Sequence, residues 1–320
     1  MSNDTRLQQH RQTAALAGLD EAQASKSPLE SLLESSFNCL PTVLYGPPGT
    51  GKTRCIELAV KSLKEQNRLG RFELVQFHRR FSYEDFIEGY VPTETGFDRR
   101  DGVFKDFCNR VSDKERIDVF VIDEMNRADL ASTLGEVLYA LEDRNTRKVR
   151  TAHFGEEFTI PTNLFLVGTM NTADRSIAQV DFAIRRRFRF VPVFPDYIEL
   201  QTWISSYEWN IEEFQILDYI DFAKRTNQRI AKSKNLGSHM QLGQSLFVPK
   251  FISGGVKTPD LLQNFVESVL GQVEAYVGLG NEDQLADLFG RSVAERFVRT
   301  RAVSSAEFVG LVLESVNDET

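Results

Sequence analysis

A chain of 320 residues with 41% hydrophobic and 26% charged side chains has room for one large α/β domain and a smaller one, and its composition is that of a globular protein. The net charge of −8 excludes a molecule that is basic throughout and wraps nucleic acid with its whole surface, while leaving room for a local positive channel. No apolar run reaches the length of a membrane span, the stretch from Met1 to Lys26 lacks the core of a signal peptide, and the three cysteines lack metal-ligand spacing. The expectation is a cytoplasmic protein with buried thiols and no membrane partner.

Residues 1–27 read as a flexible leader with one helical piece around 13–24. Pro28 opens a short amphipathic segment from Leu29 to Phe37, and Thr42–Tyr45 reads as a short buried strand. Directly after it comes Gly46-Pro47-Pro48-Gly49-Thr50-Gly51-Lys52-Thr53, a complete G-x-x-x-x-G-K-T phosphate-binding loop, and then a helical pattern over 53–63. The glycines let consecutive backbone N–H groups turn inward on an anion. Lys52 adds a point charge for the β- and γ-phosphates, the Thr53 hydroxyl is a ligand for Mg²⁺, and the helix start aims its positive end at the same anion.

Further strands are expected at 72–77, 118–122, 164–168 and 188–193, with a helix over 131–141 and a hairpin over 148–160. Strands alternating with helices predict an α/β doubly wound parallel sheet over 28–195. From Asp196 that alternation ends, and patterns such as 261–277 and 282–300 predict a helical domain over 196–300, followed by a tail over 301–320.

The apolar strand at 118–122 runs into Asp123-Glu124. An acidic residue at a strand end suits a Walker B role, with Asp123 holding Mg²⁺ and Glu124 orienting or activating water. The next strand ends at Asn171, a polar group able to reach a γ-phosphate and the attacking water. Arg185, Arg186, Arg187 and Arg189 then crowd five positions. They could form a nucleic-acid patch, a solvated face, or donors that stabilise transferring phosphoryl charge in a neighbouring subunit's site. His78 and His239 have no paired nucleophile and read as structural or surface groups. The aromatics Phe81, Tyr83, Phe86 and Tyr90 read as packing rather than as base-stacking platforms.

The stretches Phe77–Pro92, Asp123–Ala128, Met170–Ser176 and Arg185–Phe188 closely resemble segments of the McrB family, the AAA+ motor subunits of McrBC-type modification-dependent restriction systems. The resemblance covers roughly 40–195 and continues more weakly to about 290. It implies an AAA+ fold with an insertion around 83–102 and a helical lid, a homo-hexamer with nucleotide between subunits, GTP as the preferred nucleotide with ATP as the alternative, and an McrC-like endonuclease partner that stimulates hydrolysis. It also implies sensor and γ-phosphate duties for Asn171–Arg175, Asp174 included, and arginine-finger roles for Arg185 and Arg186. The chain departs from the family in having Gln244 where a histidine is usual and Leu246 where an aromatic is usual. The residues before Thr42 are too few for the separate DNA-binding domain of some members, so DNA is expected to be met through a partner or the ring pore. Two other readings stay open: a MoxR-like remodelling ATPase acting on a protein partner, and an assembly module that binds nucleotide without turnover.

Overall fold

The computed structural model describes residues 27–110, 113–144, 147–174, 182–252 and 254–314. The leader with its helical piece at 13–24 lies outside these residues except for Ser27, and so do Arg175 and the last six positions. The chain divides into two compact units: one holds Lys26–Gly46 and Lys52–Val193, the other holds Pro47–Gly51 and Phe194 onward.

The strands in chain order are β1 (Thr42–Gly46), β2 (Leu69–Gln76), β3 (Glu88–Thr93), β4 (Gly96–Asp101), β5 (Ile117–Asp123), β6 (Val149–Arg150), β7 (Glu157–Phe158), β8 (Leu164–Asn171) and β9 (Arg189–Pro192). Five of them form one parallel sheet in the order β2-β5-β8-β1-β9, while β3–β4 and β6–β7 are antiparallel pairs. Successive side chains of a strand point to opposite faces, so a strand covered on both sides must be apolar at every position. In β5, Val119 and Val121 pack with Phe165 and Val167 of β8 and with Ile56, Ala59 and Leu63 of the helix Lys52–Glu65. The intervening Phe120 and Ile122 pack on the other face with Leu164, Leu166, Phe86, Phe104 and Leu134. This is the α/β doubly wound parallel sheet that the strand–helix alternation predicts.

Local chemistry starts and stops the flanking elements. Helix Pro28–Phe37 begins with a capping box, in which the Glu30 amide donates to Ser27 Oγ (3.2 Å) and the Ser27 amide to Glu30 Oε2 (2.8 Å), with Pro28 in the first turn. The single helix expected over 131–141 is instead two, Leu130–Leu134 and Val137–Ala140. Gly135 separates them at φ 45°, where an added Cβ would also lie 2.9 Å from the Tyr83 ring.

The region 83–101 holds a short helix, Tyr83–Phe86, and then the β3–β4 hairpin, whose base is bolted by a buried lysine. Lys105, 2% exposed, places Nζ 2.7 Å from Glu88, 2.8 Å from Asp101 and 2.7 Å from Glu156, the last on the turn side of β7. Burial alone would lower its pKa, but hydrogen bonds to Asp101, Glu156 and Glu88 outweigh that and hold it above the ordinary lysine value. The same three carboxylates have the spacing of a cation site, and the lysine ammonium is the charge that neutralises them. Of the aromatics of this region, Phe86 stacks on Phe104 (4.8 Å), which meets Phe120 edge-on (5.1 Å), and Phe81 stacks on Phe77 (4.5 Å), whereas Tyr90 is exposed.

In the second unit, helices Tyr197–Ile204, Ile216–Lys232, the run Thr258–Val277, Glu282–Phe289 and Arg291–Thr300 surround a phenylalanine cluster. Phe265 lies 5.7 Å from Phe222, 5.5 Å from Phe289 and 5.4 Å from Phe308. Phe308 corrects one expectation. The segment from 301, expected as a tail, contains the helix Ser305–Leu313, started by a Ser304–Glu307 capping box and anchored by the fully buried Phe308. A short amphipathic helix with a buried aromatic belongs to the core it completes.

Among the described residues no helix is long and apolar enough to cross a membrane. Cys39, Cys55 and Cys108 are not joined by disulfides.

Candidate functional site

Parallel pairing brings the carboxyl ends of the sheet strands into line, with Gly46 opposite Asn171 and Gln76 opposite Asp123. Ligand sites of open parallel sheets form beyond such ends. In the first unit this arrangement gathers Lys52, Thr53, Asp123, Glu124, Asn171 and Asp174, which are far apart in sequence.

Lys52 opens the helix that follows β1, and its Nζ donates to the Gly46 carbonyl at 2.9 Å. Burial pushes its pKa down to about 8, against the opposing pull of Glu124, Asp123 and Asp174. Thr53 Oγ1 donates to Asp123 Oδ1 at 3.4 Å, and the same oxygen accepts the Thr169 hydroxyl at 2.7 Å. Gln76 Nε2 reaches Asp123 Oδ2 at 3.5 Å. A hydroxyl beside a strand-end carboxylate offers the hard oxygen donors that suit Mg²⁺, which takes one or two protein oxygens and fills its shell with water and phosphate oxygens. The pair therefore fits the metal expected of it.

Glu124 follows in the left-handed region at φ 55°, unusual for a residue with a Cβ and costing on the order of 1–2 kcal/mol. The turn is stabilised where the Glu124 amide donates to Thr169 Oγ1 at 3.0 Å. It leaves Oε2 buried with no hydrogen-bond partner among the described residues, 3.4 Å from Arg127 Nε. Arg127 Nε is also 3.8 Å from Asp174. Asn171 is held by a reciprocal pair: its amide donates to Asn126 Oδ1 (3.4 Å), and Asn126 Nδ2 donates to its carbonyl (3.2 Å). Its own Oδ1 accepts the Ala173 amide at 3.2 Å.

The arginine run separates by use. Arg187, with a side chain 7% exposed, pairs with Glu142 at 2.5 Å and donates to the Ala183 carbonyl at 2.7 Å. Arg189 is held by Glu34 and Ser35. Arg186 is 67% exposed and lies 3.5 Å from Glu142. Arg185 is exposed and makes no ion pair among the described residues.

The glycine-loop residues Pro47–Gly51 group with the helical unit, although the sequence reading places them in the nucleotide core. Gly49 and Gly51 stand at φ 77° and 84°, a conformation strained for any side chain. The loop carbonyls are met by a segment near residue 244. The Gly243 amide donates to the Pro48 carbonyl (2.9 Å), the Ser245 amide to the Gly49 carbonyl (3.1 Å), and Gln244 Nε2 to the Thr50 carbonyl (3.1 Å). A Cβ on Gly243 would stand 1.9 Å from the Gly49 carbonyl carbon, so only glycine permits that approach.

Sequence reasoning missed Thr169, Asn126, Arg127, Glu142 and Gly243. Asn126 and Arg127 lie inside the quoted Asp123–Ala128 run, which was a usable signal. Nothing in the sequence marks Thr169 or Glu142.

The AAA domain family (dynein-related subfamily) matches residues 41–188. The chain is 34% identical over 237 residues to the type IV methyl-directed restriction enzyme EcoKMcrB subunit of Escherichia coli strain K12, covering 72% of this chain and 52% of that relative. It is 25% identical over 237 residues to the type II restriction enzyme BsuMI component YdiS of Bacillus subtilis strain 168, covering 59% of this chain and 67% of that relative. The chain thus spans about half the length of the first relative and about two thirds of the second.

Proposed function

Because the chain belongs to the McrB family of AAA+ proteins, we propose that it is a nucleoside triphosphatase of a restriction system, hydrolysing GTP, with ATP as the alternative, to drive a partner endonuclease of McrC type against foreign or modified DNA. The proposed working form is a cytoplasmic homo-hexamer that meets DNA through its partner or its pore. The observation that supports this best is the convergence of Lys52, Thr53, Asp123, Glu124 and Asn171 at the ends of β1, β5 and β8.

Each residue has a role that its surroundings suit. Gly46, Pro47, Pro48, Gly49, Thr50 and Gly51 supply the turn whose amides face phosphate. Lys52 places its charge at the β- and γ-phosphates. Thr53 and Asp123 would hold Mg²⁺, which neutralises phosphate charge when bound. Glu124 Oε2, which has no hydrogen-bond partner among the described residues, is the atom suited to accept the proton of the attacking water. Asn171 orients that water, and Asp174 steadies Arg127 beside the glutamate. Arg185 and Arg186, both exposed, would extend to a neighbouring subunit's γ-phosphate, since Arg187 and Arg189 are held by closer partners within their own subunit.

The test is Glu124→Gln, with GTP and ATP turnover measured with and without the candidate nuclease subunit. The variant is expected to bind nucleotide as the wild type does and to turn over about 10²–10⁴-fold more slowly. Wild-type turnover in the variant would remove Glu124 from the mechanism. Turnover indifferent to every nuclease partner would remove the proposed drive.

A further inference from the structure

The amide of Gln244 is 1% exposed and nearly saturated with hydrogen bonds. Its Nε2 carries two hydrogens, one donated to the Thr50 carbonyl in the glycine loop at 3.1 Å and one to Glu199 Oε2 at 2.7 Å. Its Oε1 accepts the amide of Asp196, the N-cap residue of helix Tyr197–Ile204, at 3.1 Å. A buried amide with three partners is rigid, because losing any one leaves a desolvated group unmet.

We propose that Gln244 is a positioning residue for the phosphate loop. Its amide ties the Thr50 carbonyl to Glu199 and to the capped start of helix Tyr197–Ile204, so the helical unit sets the shape of residues 47–51. The neighbouring bonds from Gly243 and Ser245 act in the same direction on the two preceding carbonyls. The glycine loop has positive φ at two positions, and within it one side-chain bond, Thr50 Oγ1 donating to the Pro47 carbonyl at 3.0 Å, holds the turn, so three carbonyls remain for outside donors to fix. An external frame that meets three consecutive carbonyls removes that freedom before an anion arrives, which raises affinity without touching the ligand. The coupling is reciprocal: whatever reshapes the 196–199 and 243–245 segments alters nucleotide affinity, and nucleotide alters those segments. The consequence for nucleotide rests on the proposed function; the loop contact does not.

The test separates positioning from mere support. In the paired variant Glu199→Gln with Gln244→Glu, the 199–244 hydrogen bond is kept with donor and acceptor exchanged, and the Asp196 amide keeps an acceptor. The hydrogen given to Thr50 is lost, and a carboxylate oxygen takes the place of the amide nitrogen opposite that carbonyl. Two measurements on the full chain then decide. In nucleotide-free protein, exchange protection of the Gly243 and Ser245 amides, whose hydrogens go to the loop, is expected to fall about fivefold, the weight of one hydrogen bond. In equilibrium titrations with GTP and with ATP, the dissociation constant for the bound nucleotide is expected to rise about tenfold, while turnover at saturation changes less than about threefold. Gln244→Ala, which loses all three bonds, is expected to lower the melting temperature. Unchanged amide protection in the paired variant overturns the proposal. So does wild-type nucleotide affinity in that variant. Failure of the wild type to bind either nucleotide would instead overturn the functional reading, and the exchange measurement would still decide the role of Gln244.

Discussion

Lys52 and Lys105 are both drawn out of solvent, and the protein treats their charges in opposite ways. Lys105 sits among Glu88, Asp101 and Glu156, all within 2.8 Å, and its pKa is held above the ordinary value. Lys52 is half-buried with a backbone carbonyl as its close partner, and burial drives its pKa down to about 8 despite three carboxylates farther off. One lysine has its charge matched on the spot and serves the fold. For the other, burial outweighs the pull of Glu124, Asp123 and Asp174. A titratable group whose partners do not offset its burial marks a functional site better than burial or charge alone.

The largest effect that could break this comparison is on turnover. Lys52→Met should reduce triphosphate hydrolysis by about 10²–10³-fold or more, as removal of a preorganised transition-state charge does. It should leave the melting temperature equal to or above that of the wild type, because a poorly compensated buried charge is removed. A clear fall in melting temperature would show that Lys52 is structural, like Lys105.

Next in size is stability at the other lysine. Lys105→Met leaves the fully buried Glu88 carboxylate without its cation and should destabilise the fold by about 3–5 kcal/mol. Chemical denaturation would read this directly. A loss below 1 kcal/mol, on the scale of an exposed pair, would mean that the cluster is not the bolt of the hairpin.

A pH dependence sharpens the contrast. The free-state pKa of Lys52 is lowered to about 8, and bound phosphate would raise it. Affinity for nucleotide should therefore be flat below about pH 8 and fall by at most about tenfold per pH unit above it, through proton linkage at that one group. In stability the signs are opposite. Charged Lys52 penalises the folded state below about pH 8, and the penalty is relieved as pH rises from there towards the unfolded lysine value. Lys105, raised, stabilises below the unfolded lysine value and loses that contribution as pH rises through its folded value. Calorimetric titration from pH 7 to 10 would test the first statement, and a flat profile would contradict it.

The smallest expected effect compares arginines. Arg187→Ala removes one of the three arginines that meet Glu142, the others being Arg147 and Arg186, together with the bond to the Ala183 carbonyl, and should lower the melting temperature. Arg185→Ala, at an exposed position, should change stability by less than about 0.5 kcal/mol. Arg185→Ala subunits mixed with wild-type ones should still impair sites they do not own. Activity that falls only in proportion to dilution would take Arg185 out of the trans role.

Much of the candidate site is legible in the sequence because its chemistry is local. The run Gly46–Thr53 carries its turn, its lysine and its hydroxyl within eight consecutive positions. Asp123-Glu124 stands at the end of an apolar strand, and Asn171 at the end of another. The parallel sheet is legible for the same reason, since strands buried on both faces write their burial into unbroken apolar runs. Gly135 shows the limit: the helical spacing over 131–141 is real, but whether one glycine breaks it depends on Tyr83 lying against it.

The sequence by itself thus determined the class of ligand and the sheet that presents it. Tertiary structure alone decided which arginines are occupied at home, how Thr169 and Asn126 brace the strand ends, and which unit holds the glycine loop. The reason is separation along the chain. Thr169 meets Glu124 across 45 positions and Gln244 meets Thr50 across 194. No periodicity or spacing encodes a contact of that range; it exists only once the intervening chain has folded.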